Sequence, residues 1–426
     1  MLVKFKVKNF KSFKDLTEFS METTKLKNLK ESNTFEVNNI SLLKSAVIYG
    51  ANASGKSSLL DAMESMRRII KNSISIAKTK EYFHQSFFLN VVTENLESYF
   101  EQEFVIDNLL YRYGFEIAKD ATIVKEWLYQ KKLQAKARET RLFERNSQHF
   151  ELGTLFKEGR LIEEKTRENA LFLSVVAQFN GETSERILNW FEKFNVLSNI
   201  KNEVFKHNSF NKLEDTEFKN KIIKFIKSAD LNIYDISKKN ITFDELKKND
   251  RNLENLPDFI LTELKEKGLS TIETMHMQYD DQNTFEKFRS FDLSFESDGT
   301  QKLLALAAPV LEALTNGTVL VIDELDNSMH TELVKAIVKL FNSKESNPNN
   351  AQLIFTTHDT NLLSQELFRR DQIWFVNKNI YGASELYSLV EYGKGSARND
   401  LVLEKNYLEG KFGARPYINT LRFEDD

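Results

Sequence analysis

A stretch of eight residues, Gly50-Ala51-Asn52-Ala53-Ser54-Gly55-Lys56-Ser57, constrains the fold of this chain more than any other. Two glycines five positions apart, followed by lysine and serine, form a phosphate-binding loop when a strand leads in and a helix leads out. Successive backbone N–H groups and the positive end of the helix then converge on phosphate oxygens. Both neighbours are legible. Ser45–Tyr49 reads as a short apolar strand, and beyond the loop Leu59, Met63, Met66 and Ile70 recur at three- and four-residue spacing, one stripe on a surface otherwise carrying Asp61, Glu64, Arg67 and Arg68. In such a loop Lys56 reaches the β- and γ-phosphates and Ser57 coordinates Mg2+.

Three further segments carry chemistry. Val319–Ile322 is an apolar strand ending in Asp323 and Glu324, as expected where a buried strand delivers acids to the sheet edge at which ligands bind. Asp323 would hold the Mg2+ shell, and Glu324, one residue on and facing the other side, would polarise a water for in-line attack on a γ-phosphate. Leu353–Thr357 is another apolar strand, ending at His358, one strand after the acids and so placed as a γ-phosphate contact. Ser297-Asp298-Gly299-Thr300-Gln301 precedes a helix with Leu303, Leu304, Leu306 and Ala307 on its apolar side; serine and aspartate are favoured helix caps in any case.

The rest of the chain frames these elements. Residues 2–9 and 14–21 alternate as strands, and alternation returns from Glu97 to Phe150, as in an antiparallel lobe. From about Lys165 to Phe285 the pattern turns helical (Ala170–Phe179, Ser184–Leu197, Asp215–Ser228), without heptads sustained enough for a coiled-coil arm. After Phe291 the order is helix (301–314), strand (318–322), helix (329–341), strand (352–356), helix (360–367) and strand (371–376), the alternation of a mainly parallel, helix-covered sheet. Two closing strands, Gln372–Val376 and Glu385–Val390, and a short helical tail finish it. With 426 residues the chain has room for two or three units. The expected division is an N-terminal part over 1–160, a helical insertion over 161–290 and a C-terminal part over 291–426 that completes the N-terminal one.

Composition excludes several classes. There is no cysteine, hence no disulfide, thiolate metal site or cysteine nucleophile, and the six histidines are scattered. The run Leu303–Ile322 is broken by Glu312, Asn316 and Gly317, so it reads as a helix followed by a strand and not a membrane span. The N-terminus alternates lysine with apolar residues and lacks the apolar core of a signal peptide, so a cytoplasmic protein is expected. Net charge is -4, so nucleic acid could be met only through local patches such as Lys131, Lys132, Lys136, Arg138 and Arg141, which equally suit a solvated face.

Taken together, the phosphate loop, Ser297–Gln301 before a helix, the Asp323-Glu324 strand, Leu325-Asp326-Asn327-Ser328 after it and the terminal histidine resemble an ABC-type ATPase head. The opening Val7-Lys8-Asn9-Phe10-Lys11-Ser12-Phe13 and Asn52 within the loop are similar to the SMC, Rad50, RecF and OLD group. Glu296–Gln301, Asp323–Ser328 and Tyr407–Gly413 resemble the stand-alone AAA15-type ATPases of bacterial abortive-infection and anti-phage systems, the RloA and AbiLi kind. The resemblance spans roughly 1–150 and 285–420. It implies an α/β P-loop NTPase of ABC-ATPase type, with an antiparallel β lobe and a helical insertion, that binds and hydrolyses ATP with Mg2+. It implies phosphate contacts at Lys11 and from Gly50 to Ser58 (Gly50, Ala51, Asn52, Ala53, Ser54, Gly55, Lys56, Ser57, Ser58), metal at Ser57 and Asp323, the base at Glu324 and a phosphate sensor at His358. Asp326 would lie in a dimer-contacting loop, and Ser297 and Gly299 would complete the partner's site in a homodimer or higher homo-oligomer. Asp298 and Thr300 stand where the commonest signature, Leu-Ser-Gly-Gly-Gln, has glycine and glutamine. Gln85 is the candidate for the glutamine that follows the first helix. A separately encoded effector, a nuclease or toxin, is the implied partner; the alternative is a RecF-like DNA clamp in repair.

Overall fold

The computed structural model describes residues 1–74, 85–198, 212–229, 232–249, 264–265, 268–391 and 403–414. It divides into two compact units, the first made of Met1–Ser198, Ala313–Asn327 and Val334–Asp426, the second of Asn199–Glu312 and Ser328–Leu333. The expected helical insertion lies in part outside the described residues.

The first unit holds two large sheets. Strands β1 (Leu2–Lys8), β2 (Thr17–Ser20), β6 (Ser98–Ile106), β7 (Leu109–Ile117), β8 (Ile123–Lys132), β9 (Thr140–Asn146) and β10 (His149–Leu152) form an antiparallel sheet in the order β10-β9-β8-β7-β6-β1-β2. This is the lobe expected from the alternation of Phe100, Phe104, Tyr111, Tyr113 and Phe115, all of which are buried. A small hairpin, β3 (Thr34–Val37) with β4 (Ile40–Leu43), stands beside it in sequence.

The second sheet runs β11-β15-β16-β5-β17-β18, built from β5 (Ser45–Tyr49), β11 (Asn195–Leu197), β15 (Val319–Ile322), β16 (Gln352–Thr356), β17 (Ile373–Lys378) and β18 (Ser384–Ser388). All pairings are parallel except β17 with β18. Every residue of β5, β15 and β16 is buried, which is why these strands read as unbroken apolar runs. Helix α2 (Lys56–Asn72) buries Leu59, Met63, Met66 and Ile70 in a core that also takes Phe5, Phe10 and Phe100 from the antiparallel lobe and Ile48 and Val321 from the parallel sheet.

Three local expectations meet a different outcome. The helix read over Ser184–Leu197 stops at Lys193, and Asn195–Leu197 instead extends the parallel sheet beside β15, pairing Asn195 with Leu320 and Leu197 with Ile322. Residues 360–367, read as a helix, form only a 3-10 turn at Thr360–Leu362. Asp359 accepts from the N–H of Asn361 and Ser364 from that of Glu366, and such side-chain bonds compete with helix continuation.

The third difference lies in the second unit. A helix is present at Thr216–Lys227, capped by Asp215, as expected, and another at Phe243–Asn249. But Asp235–Ile241 (β12), Leu269–Tyr279 (β13) and Phe285–Asp292 (β14) form an antiparallel three-stranded sheet, where helix was expected up to Phe285. Ile236 and Ile272 of this sheet pack with Ile222 and Ile226 of the helix and with Leu304 and Ala307 of Asp298–Asn316. Among the described residues no helix is long and apolar enough to cross a membrane, and Leu303–Ile322 resolves into a helix end and β15.

Candidate functional site: the phosphate loop and the acidic strand end

The loop leaves β5 at the carboxyl edge of the parallel sheet. A side chain at Gly50 would run into the carbonyl of Val376 and come within 2.6 Å of the Ser54 Oγ, so only glycine lets the loop start here. Gly55 has φ +115°, and a Cβ there would lie 2.6 Å from the Ser12 Oγ. The loop is pinned from outside by Ser384 of β18, whose hydroxyl donates to the Ser54 carbonyl at 2.5 Å and whose N–H donates to the Ser12 carbonyl at 2.7 Å.

Lys56 opens helix α2 and is 5% exposed. Its Nζ donates to the carbonyls of Gly50 at 2.8 Å and Ala51 at 3.1 Å. Burial lowers its pKa to about 8, against a smaller upward pull from Asp323, Glu324 and Asp326.

On the acidic side, one hydroxyl organises both carboxylate-bearing residues. Thr356 Oγ1, at the end of β16, donates to Asp323 Oδ1 at 2.6 Å and accepts from the Glu324 N–H at 2.7 Å, while its carbonyl accepts from the Leu325 N–H at 3.1 Å. Glu324 takes a left-handed backbone, φ +49°. His358 Nε2 lies 3.8 Å from Glu324 Oε1, and its backbone N–H donates to Asp326 Oδ2 at 3.1 Å. The His358 pKa is lowered, first by burial and then by the charge of Lys56, so its imidazole is neutral at pH 7. The other oxygen of Asp326 is buried without a hydrogen-bond partner among the described residues.

These groups share a cavity of about 410 Å3 lined by Asn52, Ala53, Ser54, Gly55, Lys56, Ser57, Ser58, Glu324, His358 and Lys378. A second cavity, of about 1180 Å3, extends from the loop, past Gly50 and Ala51, to the tip of the β17–β18 hairpin and to Tyr407 and Leu408 of the helix Leu403–Leu408. The structure thus brings together the loop residues, Glu324 and His358. Asp323 joins them through Thr356.

Other expected residues stand apart from that cavity. Lys11 gives its Nζ to Asp61 at 2.6 Å and is absent from the cavity lining. Gln85 uses its backbone carbonyl to accept from the Lys11 N–H. Ser297 and Gly299 belong to the second unit. There the Ser297 hydroxyl accepts from the Thr300 N–H at 3.2 Å, capping the helix, and a Cβ at Gly299 would come within 2.6 Å of the Ser328 carbonyl. In the basic run, Arg141 is tied to Glu151 at 2.6 Å and Glu144 at 3.2 Å, as a solvated charged face would have it.

Sequence reasoning passed over Thr356, Ser384 and Lys378. Thr356 had a visible signal, since a hydroxyl residue two before His358 at the end of an apolar strand must bond something. Ser384 and Lys378 had none, because only strand pairing brings that hairpin to the loop.

Among curated proteins none matches this chain. Solved structures similar to it include the SMC head domain from Thermotoga maritima, 14% identical, covering 91% of this chain and 98% of that one with a TM-score of 0.40. Another is an SMC head bound to the C-winged helix domain of ScpA, also 14% identical, covering 91% and 97% with a TM-score of 0.39. The family model described as "AAA domain, putative AbiEii toxin, Type IV TA system" matches residues 45–364, a span that starts at β5 and takes in the phosphate loop, Asp323, Glu324 and His358. The chain belongs to that family of AAA-type P-loop NTPase domains.

Proposed function

We propose that the chain binds ATP with Mg2+ at the phosphate loop and hydrolyses it, and that ATP closes two copies into a dimer that controls a separately encoded effector in anti-phage defence. The observation that carries the ATPase reading is the convergence of Lys56, Ser57, Glu324 and His358 on one cavity. Ser57 and Asp323 would hold the metal. Two protein oxygens suit Mg2+, a cation that takes one or two of them and completes its shell with phosphates and water. Bound there, it would neutralise charge on the β- and γ-phosphate oxygens.

The chain's own residues supply the rest. Lys56 exchanges its two loop carbonyls for phosphate oxygens. Glu324 takes a proton from water as the water oxygen bonds to the γ-phosphorus and the bond to the β-phosphate oxygen breaks, leaving ADP and phosphate. His358, neutral and within 4 Å of Glu324, can donate a hydrogen bond to the γ-phosphate without adding charge.

The dimer rests on Ser297 and Gly299 at a helix start, whose N–H groups suit an anion from a partner, and on Asp326, whose buried unpartnered oxygen awaits a donor. Support for action alongside a separately encoded protein comes from the family description, which names a putative toxin of a type IV toxin–antitoxin system. Glu324→Gln is the decisive variant. It should keep ATP binding, slow turnover at least about a hundredfold, the usual worth of a positioned base, and double the solution mass when ATP is added. Wild-type turnover would refute the base; slow turnover with an unchanged mass would leave the ATPase and remove the dimer. Loss of phage protection by Glu324→Gln or by deleting the effector gene would be expected in cells, and protection surviving both would end the defence reading.

A further inference from the structure

Lys378 ends β17, which runs parallel to β5 with Ile373 beside Val47 and Phe375 beside Tyr49. Because the strands run the same way, the carboxyl end of β17 emerges at the edge where the phosphate loop begins, and the Val376 carbonyl sits against Gly50. The position is rigidly held. Lys378 pairs across the hairpin with Ser384, the residue whose hydroxyl and N–H tie down Ser54 and Ser12.

Among the described residues, two charged or titratable ones, His358 and Lys378, line both cavities around the loop. Lys378 therefore shares with His358 the walls of both cavities. Its ammonium has no carboxylate partner among the described residues, in contrast with Lys11, which is committed to Asp61. The surroundings call for a cation. Lys56 faces three carboxylates, Asp323, Glu324 and Asp326, so the protein charges around the site are already net negative before a polyanion arrives.

We propose that Lys378 is a second phosphate-contacting cation, which engages the terminal phosphate of a bound nucleoside triphosphate and so lets the site tell triphosphate from diphosphate. This rests on the nucleotide reading given above. A point charge on a flexible stem suits the task, since it can follow the terminal phosphate and release once that phosphate has left.

The test measures ATP and ADP affinity by calorimetry on the full chain carrying Glu324→Gln, so that ATP survives the titration, with Lys378→Ala or Lys378→Arg added. Loss of one charge-assisted contact should lower ATP affinity roughly tenfold in Lys378→Ala while ADP affinity stays within about twofold, and Lys378→Arg should restore most of the ATP preference. An unchanged ATP-to-ADP ratio in Lys378→Ala overturns the proposal. Equal weakening of both nucleotides overturns it too, since the lysine would then serve the shared phosphates or the fold. If the parent chain binds neither nucleotide, the nucleotide reading itself has failed, an outcome separable from the other two.

Discussion

Raising the pH from 7 to 9 should weaken ATP binding about tenfold, through Lys56 alone. Its Nζ is buried, with two loop carbonyls as acceptors, and burial brings its pKa down from 10.5 to about 8. A cation with a lowered pKa is a group that the nucleotide-free fold prefers neutral, whereas phosphate oxygens favour the ammonium. Binding therefore takes up a proton wherever the pH approaches or exceeds about 8. With the bound value at or above the ordinary one, the apparent Kd scales as one plus ten to the power of pH minus 8, which is about 1.1 at pH 7, about 2 at pH 8 and about 11 at pH 9. The difference is about 1.4 kcal/mol at 25 °C. Calorimetry in buffers of different ionisation enthalpy should find about 0.1, 0.5 and 0.9 protons taken up at those three pH values. The same shift has the opposite sign for folding, because the unfolded chain keeps the proton longer. The Lys56 contribution to stability of the nucleotide-free protein should rise between about pH 8 and 10.5 while affinity falls. An affinity flat from pH 7 to 9, with no buffer-dependent heat, would refute the argument that a desolvated Lys56 meets the phosphates.

Two further predictions follow from hydrogen bonds. Thr356→Val removes the hydroxyl that serves Asp323 and Glu324 and should cut kcat by about ten- to a hundredfold, with ATP affinity within about threefold and Thr356→Ser near wild type; full activity of the valine variant would sink the positioning role. Glu126, fully buried, accepts from the Phe172 N–H at 2.6 Å, the Leu173 N–H at 3.0 Å and the Tyr113 hydroxyl at 2.9 Å beside Arg145. Its replacement by alanine should cost about 3–5 kcal/mol in urea unfolding, and a loss below about 1 kcal/mol would contradict the view that it caps the helix Phe172–Gln178 and balances a buried guanidinium.

What could be read from the sequence was local. The phosphate loop, the α2 stripe and the apolar runs of β5, β15 and β16 each carry their signal within about a dozen residues, and each stands where it was expected. What escaped depended on distant partners. Asn195–Leu197 continues a helical pattern in sequence and becomes strand only because the edge of β15 offers unpaired backbone groups. Leu269–Tyr279 has alternating Ile272, Thr274 and His276, a short pattern that becomes a strand through its pairing with β12 and β14. The same holds within the site. The phosphate loop, Glu324 and His358 line one cavity, as their motifs led one to expect, whereas Ser384 and Lys378 are brought to the loop only by strand pairing.

The left-handed backbone at Glu324 shows how the site is assembled. A glutamate with φ +49° costs of order 1 kcal/mol, and it persists because its own N–H, the next N–H and its neighbour's carboxylate all bond Thr356. The turn carries the chain back across the end of β16, where Asp326 meets the His358 N–H and the Glu324 carboxylate comes within 4 Å of the His358 ring. Strand β16 thus sets where the acids stand, while β5 sets where the proposed phosphate site lies. The two duties fall on adjacent parallel strands, with Thr356 beside Ile48 in register. Changes at the end of β16 should therefore act on turnover, and changes at the end of β5 on binding, so a Thr356 variant that lost ATP affinity as severely as a Lys56 variant would mean the two strands share one task.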